Sequence, residues 1–244
     1  MLPFMIALQF LTRLPVRLPG MPPPEKTGES LLWYPMVGVL VGTILWLLGN
    51  LLGQAAPVLQ AAIVLAVWVA LTGALHLDGL ADTADAWVGG FGDRERTLTI
   101  MKDPRSGPIA VVAVIIVLLL KFAALYVLLE HNQLDAVLLV PWLARVALPG
   151  LLLVTPYARP GGLGQMLVDH MPKRLLRLVL AAHVIVMLLV MRESLIALLM
   201  AVLLFLWLRR AFMTRLGGTT GDTAGALVEL LECGVLVALA LTST

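Results

Sequence analysis

Two unbroken apolar runs, Ile109–Leu120 and Leu195–Leu208, constrain this chain more than any other feature of it. A water-soluble fold would have to bury both runs on every side. With 60% hydrophobic and only 13% charged residues, the chain lacks the polar surface for that, since soluble domains carry about a quarter charged residues. The mean hydropathy of +0.98 points the same way. The natural solvent of such a chain is a bilayer, in which only helices and closed barrels satisfy every backbone group. Runs of this length point to helices.

The expected fold is therefore all-α: a polytopic helix bundle over residues 1–244, one membrane-embedded domain with membrane lipids as its surroundings. Spans are expected at Leu31–Leu52, Ala56–Leu75, Ile109–Leu129, Ala136–Tyr157, Leu175–Met191, Leu195–Leu208 and Ala224–Thr242, about seven in all. The fifth and sixth are joined only by Met191–Ser194, which leaves open one tilted or broken hairpin in their place. Phe4, Leu8, Leu11 and Leu14 recur at helical spacing ahead of the prolines at 15, 19 and 22–24, the pattern of an interfacial helix. Met1–Val16 has no basic leader region and no small-residue cleavage site, so this segment is expected to be kept.

Lys and Arg alternate between connections. Arg94, Arg96, Lys102 and Arg105 lie in 77–108, and Arg159, Lys173, Arg174 and Arg177 lie in and beside 158–174. Arg209, Arg210 and Arg215 follow the sixth span, whereas 53–55 and 130–135 have no base and 192–194 has only Arg192. The basic loops and the amino terminus, with Arg13, Arg17 and Lys26, are thus expected to be cytoplasmic. The formal net charge of +2 is spread among short loops and forms no continuous patch, which argues against a nucleic-acid partner. Cys233 is the only cysteine, so neither an internal disulfide nor a thiolate metal cluster is available.

Against this background the stretch His76–Asp85 stands out. Asp78, Asp82 and Asp85 are four and three residues apart, so on a helix all three point within about 60° of one another. Their mutual repulsion is costly unless something positive sits between them, and a hard divalent cation with oxygen ligands, Mg²⁺ first, is the simplest neutraliser. The competing reading is a solvated acidic helix end; Gly73 and Gly79, which permit close approach, weigh against it. For His76 three roles stay open: general base, metal ligand or phosphate donor.

Downstream, Lys102, Asp103, Arg105, Ser106 and Gly107 form a polar group just before Pro108, at the start of a span where dipole and backbone amides favour anions. Lys102, Arg105 and Gly107 are candidate phosphate binders, and Arg94 and Arg96 read as membrane anchors. A second acidic group, Asp222 and Glu229, lies seven residues apart on one face behind the glycine-rich segment 217–221, with Glu232 offset by about 80°. Lys121 and Arg145, both inside apolar spans, are candidate counter-ions for these acids, and Arg145 is also a candidate phosphate binder. The segment Tyr157–Gly164 places Arg159 among glycines on the basic side, another candidate for phosphate.

Taken together, five segments resemble the cobalamin synthase family, the adenosylcobinamide-GDP ribazoletransferases, in order and over nearly the whole chain: Phe10–Val16, His76–Asp85, Met101–Gly107, Tyr157–Gly164 and Gly217–Glu229. This chain departs from the family's habit at Ala110, where a further Gly is common, and at Pro108-Ile109. The resemblance implies attack by a ribose hydroxyl of α-ribazole, or of its 5′-phosphate, on the cobinamide-side phosphorus of adenosylcobinamide-GDP, with loss of GMP. It implies metal binding by Asp78, Asp82, Asp85 and Asp222. Catalytic work would fall to His76, Asp82, Asp222 and Glu229, and phosphate binding to Lys102, Arg105, Gly107, Arg145 and Arg159. It further implies a bacterial inner-membrane enzyme with its site on the cytoplasmic side, with homo-oligomerisation left open. Rival readings are a CDP-alcohol phosphotransferase, whose longer acidic pattern is absent, a prenyltransferase acting on a diphosphate, and an ion-coupled transporter, whose acids would lie nearer the bilayer midplane.

Overall fold

Proline marks five of the helix starts among the described residues, where its missing N–H costs nothing. It stands in the first two positions of α1 (Leu2–Leu11), α2 (Pro24–Glu29), α3 (Tyr34–Leu51), α4 (Pro57–Thr72) and α7 (Pro108–Glu130). The remaining helices of this computed structural model, which describes residues 1–190 and 194–243, are α5 (Leu75–Gly89), α6 (Arg94–Ile100), α8 (Ala136–Val154), α9 (Gly162–Asp169), α10 (Lys173–Val190), α11 (Ser194–Leu216) and α12 (Gly221–Thr242). A 3-10 turn, Ser30–Trp33, joins α2 to α3. Among the described residues the one extended pairing is an isolated parallel bridge between Tyr157 and Thr219. The all-α expectation holds.

Five helical stretches have the length and hydropathy of a membrane span: Pro24–Leu51, Pro108–Glu130, Ala136–Val154, Leu195–Leu216 and Gly221–Thr242. The pair α4 and α5 makes a sixth if counted as one span bent by 86°. Sequence reading gave about seven. The difference is α10, whose first five residues include Lys173, Arg174 and Arg177, too much charge for an 18-residue apolar span. Of the expected linker Met191–Ser194, residues 191–193, with Arg192, lie outside the described residues. On α7 an outward stripe of Ile109, Val112, Ile115, Ile116 and Leu119 stays exposed, a face suited to lipid and unsuited to water.

α8 and α12 form the centre. Each buries most of its length, α12 through Leu227, Val228, Leu231, Val235 and Leu239, and α8 through Leu139, Val140, Leu143 and Leu151. The amino-terminal α1 packs Ile6, Ala7 and Leu11 inward and sets Phe4 edge-on to Trp33 with ring centroids 5.4 Å apart. The interfacial helix was expected to include Leu14, but α1 ends at Leu11, where Thr12 turns its hydroxyl back to the Leu8 carbonyl at 2.7 Å.

The break between α4 and α5 decides where the acidic segment goes. Gly73 and Ala74 both adopt left-handed backbone, with φ of 63° and 56°, which turns the chain sharply. At Gly73 a Cβ would also stand 2.1 Å from Nε of Arg13, so a side chain there would displace that arginine. Ala74 carries the left-handed strain without glycine's freedom, at about 1 kcal/mol.

Candidate active site

α5 and α12 meet through glycine. A Cβ on Gly79 would lie 2.8 Å from the Asp222 carbonyl oxygen, and one on Gly225 would lie 3.3 Å from the Gly79 Cα. This close approach, the way small residues let membrane helices touch backbone to backbone, puts Asp78 and Asp82 beside Asp222. The charged neighbours of Asp82 are Asp78, Asp222 and Asp85, with Arg159 as the positive one.

Asp222 owes its place to the start of α12. Thr220 accepts from the Thr223 amide at 3.2 Å, and the Thr223 hydroxyl accepts from the Thr220 amide at 2.8 Å, a reciprocal cap that fixes the first turn. Just before it, the Thr219 amide donates to Pro156 O and the Ala158 amide to Thr219 O, both at 2.8 Å. This short pairing carries Arg159 to Asp222, where its Nη1 donates to Oδ2 at 3.0 Å. The Tyr157 phenol is held above its usual pKa chiefly by burial, with the Asp222 charge adding to the effect, so it stays a neutral donor.

A cavity of about 210 Å³ opens at this junction. His76, Asp78, Gly79 and Asp222 line it, and Phe10, Tyr34, Leu148 and Leu152 close its apolar side. A second hollow of about 460 Å³ shares Tyr157, Leu163 and Gly221 with it and adds Lys102 and Arg159. Of the predicted phosphate binders, then, Lys102 and Arg159 stand together at the site.

Other predicted residues are placed elsewhere. Asp85 turns to the first turn of α7, accepting from the Gly107 amide and, at 2.9 Å, from the Ala110 amide. It caps that helix from a distance, and the backbone amide of Gly107 is spent on it. Arg105 is 88% exposed and pairs with Asp103 at 3.1 Å, which holds the Asp103 carboxyl below its usual range. Arg94 and Arg215 brace the loops, donating to the carbonyls of Leu216 and Trp87.

Beneath the cavity the intramembrane charges pair with one another. Lys121 donates to Glu229 at 2.5 Å and to Glu232 at 2.6 Å, and Arg145 pairs with the other oxygen of Glu232. All four are buried, so two bases balance two acids. Glu229 and Arg145 are thus locked in this network rather than turned to the cavity, while the counter-ion expectation for Lys121 and Arg145 matches their geometry. His76 joins through Arg145, whose Nη2 stands 3.4 Å from Nδ1. Phe10, Tyr34 and Tyr157 were not singled out from the sequence as site residues. Phe10 and Tyr157 do open two of the segments that carry the family resemblance.

Among the described residues no three His, Cys, Asp or Glu side chains converge as a ready-made metal site. Asp78 and Asp222 instead offer hard oxygen donors in one cavity wall, with Asp82 near enough to feel both charges. Mg²⁺ typically uses one or two carboxylates and completes its shell with water and substrate phosphate, so this donor set fits it.

Comparison with known proteins agrees with the geometry. Residues 3–240 match the family described as CobS: Cobalamin-5-phosphate synthase. An "Adenosylcobinamide-GDP ribazoletransferase" of Ectopseudomonas mendocina is 68% identical over 237 residues, covering 97% of this chain and 98% of that protein. Proteins of the same name from Pseudomonas fluorescens and Pseudomonas aeruginosa are each 62% identical, covering 99% and 97% of this chain and 100% and 97% of their own. No solved structure matches the chain. With a match that runs nearly end to end, the chain belongs to the cobalamin-5-phosphate synthase family.

Proposed function

We propose that this protein joins adenosylcobinamide-GDP to α-ribazole or α-ribazole 5′-phosphate, releasing GMP and forming adenosylcobalamin or its 5′-phosphate. The observation that carries this reading is the Gly79–Gly225 contact, which sets Asp78 and Asp82 of α5 against Asp222 of α12 in a chain of this family. Carboxylates flanked by Arg159 and Lys102 are the equipment that diphosphate cleavage requires.

In this account a ribose hydroxyl of the acceptor attacks the cobinamide-side phosphorus. The new O–P bond forms as the bond to the bridging oxygen breaks, and GMP leaves with that oxygen. Lys102 and Arg159 bind the phosphates and offset the leaving charge. Asp82 takes the hydroxyl proton; it has no side-chain hydrogen-bond partner among the described residues, whereas Asp222 is held by Arg159. Asp78, Asp82 and Asp222 would hold Mg²⁺, which supplies charge neutralisation for the diphosphate. His76 has no part in this proton transfer: Arg145 has only donors to offer Nδ1, which favours the ring proton on Nε2.

The site opens at the end of the bundle that carries Lys102, Arg105 and Arg159, which supports a cytoplasmic site in a bacterial inner membrane. The pairing of the deep charges argues against a transport path along them. The test is the mass of the corrinoid product made by purified protein in lipid. Expected is cobinamide phosphate joined to ribazole; a free cobinamide phosphate, with water as acceptor, would refute the transferase reading.

A further inference from the structure

Resting on the transfer proposed above, we infer that the 210 Å³ cavity is the subsite for the acceptor's heterocyclic base, read by a hydrogen bond from His76 Nε2–H to a ring nitrogen. The walls limit what can enter. Phe10 and Tyr34 lie nearly parallel, ring centroids 6.3 Å apart at 27°, and Leu148, Leu152 and Leu167 complete an apolar lining. Such walls suit a flat, apolar ring system and leave most in-plane polar groups unmatched. Guanine, with several donors and acceptors along its edges, is poorly served there; the hollow with Lys102 and Arg159 suits its nucleotide. A corrin macrocycle is too large for the cavity.

One polar group in the wall lacks a partner. His76 is 3% exposed, and its Nε2 has no hydrogen-bond partner. Arg145 engages Nδ1 at 3.4 Å, and a guanidinium can only donate, so Nδ1 accepts and Nε2 bears the proton. A buried donor left unmatched is costly and rare, and a turn of the ring toward the cavity that His76 lines would match it with a ligand. The complementary ligand is a flat ring system with a single in-plane acceptor nitrogen, which is the chemistry of a benzimidazole nucleoside. With the base so placed, the ribose reaches the mouth where Asp78 and Asp222 stand. Arg145 is then a positioning residue: bound to Glu232, it fixes the tautomer of His76.

The experiment compares two acceptors in the lipid-reconstituted protein, an α-ribosyl benzimidazole and the α-ribosyl indole in which carbon replaces the acceptor nitrogen, with GMP release as readout. Expected for the natural sequence is a KM about tenfold or more higher for the indole, with kcat changed far less. In His76→Phe the two acceptors should converge, and His76→Gln, which keeps a donor, should restore the preference. Equal KM values for both acceptors in the natural sequence would overturn the subsite while leaving the transfer reading intact. No GMP release with the benzimidazole acceptor would overturn the transfer reading and the subsite with it.

Discussion

Gly79 of α5 and Gly225 of α12 touch backbone to backbone, and the carboxylates that define the site flank this contact. Gly79→Ala would force its Cβ to 2.8 Å from a carbonyl oxygen that is fixed in a helix, so the helices must part. Overpacking of this kind costs about 1–3 kcal/mol. Thermal unfolding in detergent should show that loss. GMP release should fall more steeply than stability, because the shift separates Asp82 from Asp222. An alanine variant with undiminished activity would mean that the spacing of the two helices is immaterial.

Asp82 and Asp85 are three residues apart on one helix yet are expected to behave differently. Asp82→Asn should lower kcat by about a hundredfold or more with little change in melting temperature. Asp85→Ala removes the cap on α7 and should cost about 1–2 kcal/mol of stability with a smaller effect on turnover. Removal of divalent cations with EDTA should stop GMP release, and Mg²⁺ should restore it. If Asp85→Ala matched Asp82→Asn in kcat at full stability, Asp85 would belong to the metal site after all.

Lys121 sits between Glu229 and Glu232, and its removal leaves two buried acids facing one base. Lys121→Met should destabilise by about 3–5 kcal/mol, the cost of a buried charge that has lost its partner. Adding Glu229→Gln restores the charge balance, so the double variant should melt higher than Lys121→Met alone. Additive losses would show that the pair is not coupled.

Two arginines on the same side of the protein should separate cleanly. Arg159→Ala removes the partner of Asp222 and a wall of the polar hollow, and should raise KM for the GDP substrate about tenfold or more. Arg105→Ala removes an exposed ion pair and should change kcat/KM by no more than about twofold. Steady-state kinetics with both variants decides it.

Much of this was legible in the residues. Helical phase put Asp78, Asp82 and Asp85 on one face, and two bases at matching depth announced the partners of Glu229 and Glu232. Phase alone could not say that the face is divided along its length, with Asp78 and Asp82 meeting α12 while Asp85 reaches the amides of α7; that depends on how three helices cross. Arg105 looked like a phosphate ligand from its neighbours; it pairs with Asp103, two residues away, and lines neither hollow. The apolar cavity was illegible because Phe10, Tyr34 and Leu148 come from distant segments and resemble ordinary core. α10 carries more charge than an expected apolar span because the basic residues at its start, which read as a flank, are part of the helix.

The most direct test is acceptor-dependent GMP release. Protein purified into lipid with Mg²⁺ and adenosylcobinamide-GDP should release GMP only when α-ribazole or its phosphate is added, and the Asp82→Asn variant, equally folded, should release almost none. Release that ignores the acceptor, or a folded protein that releases no GMP with it, would contradict the account.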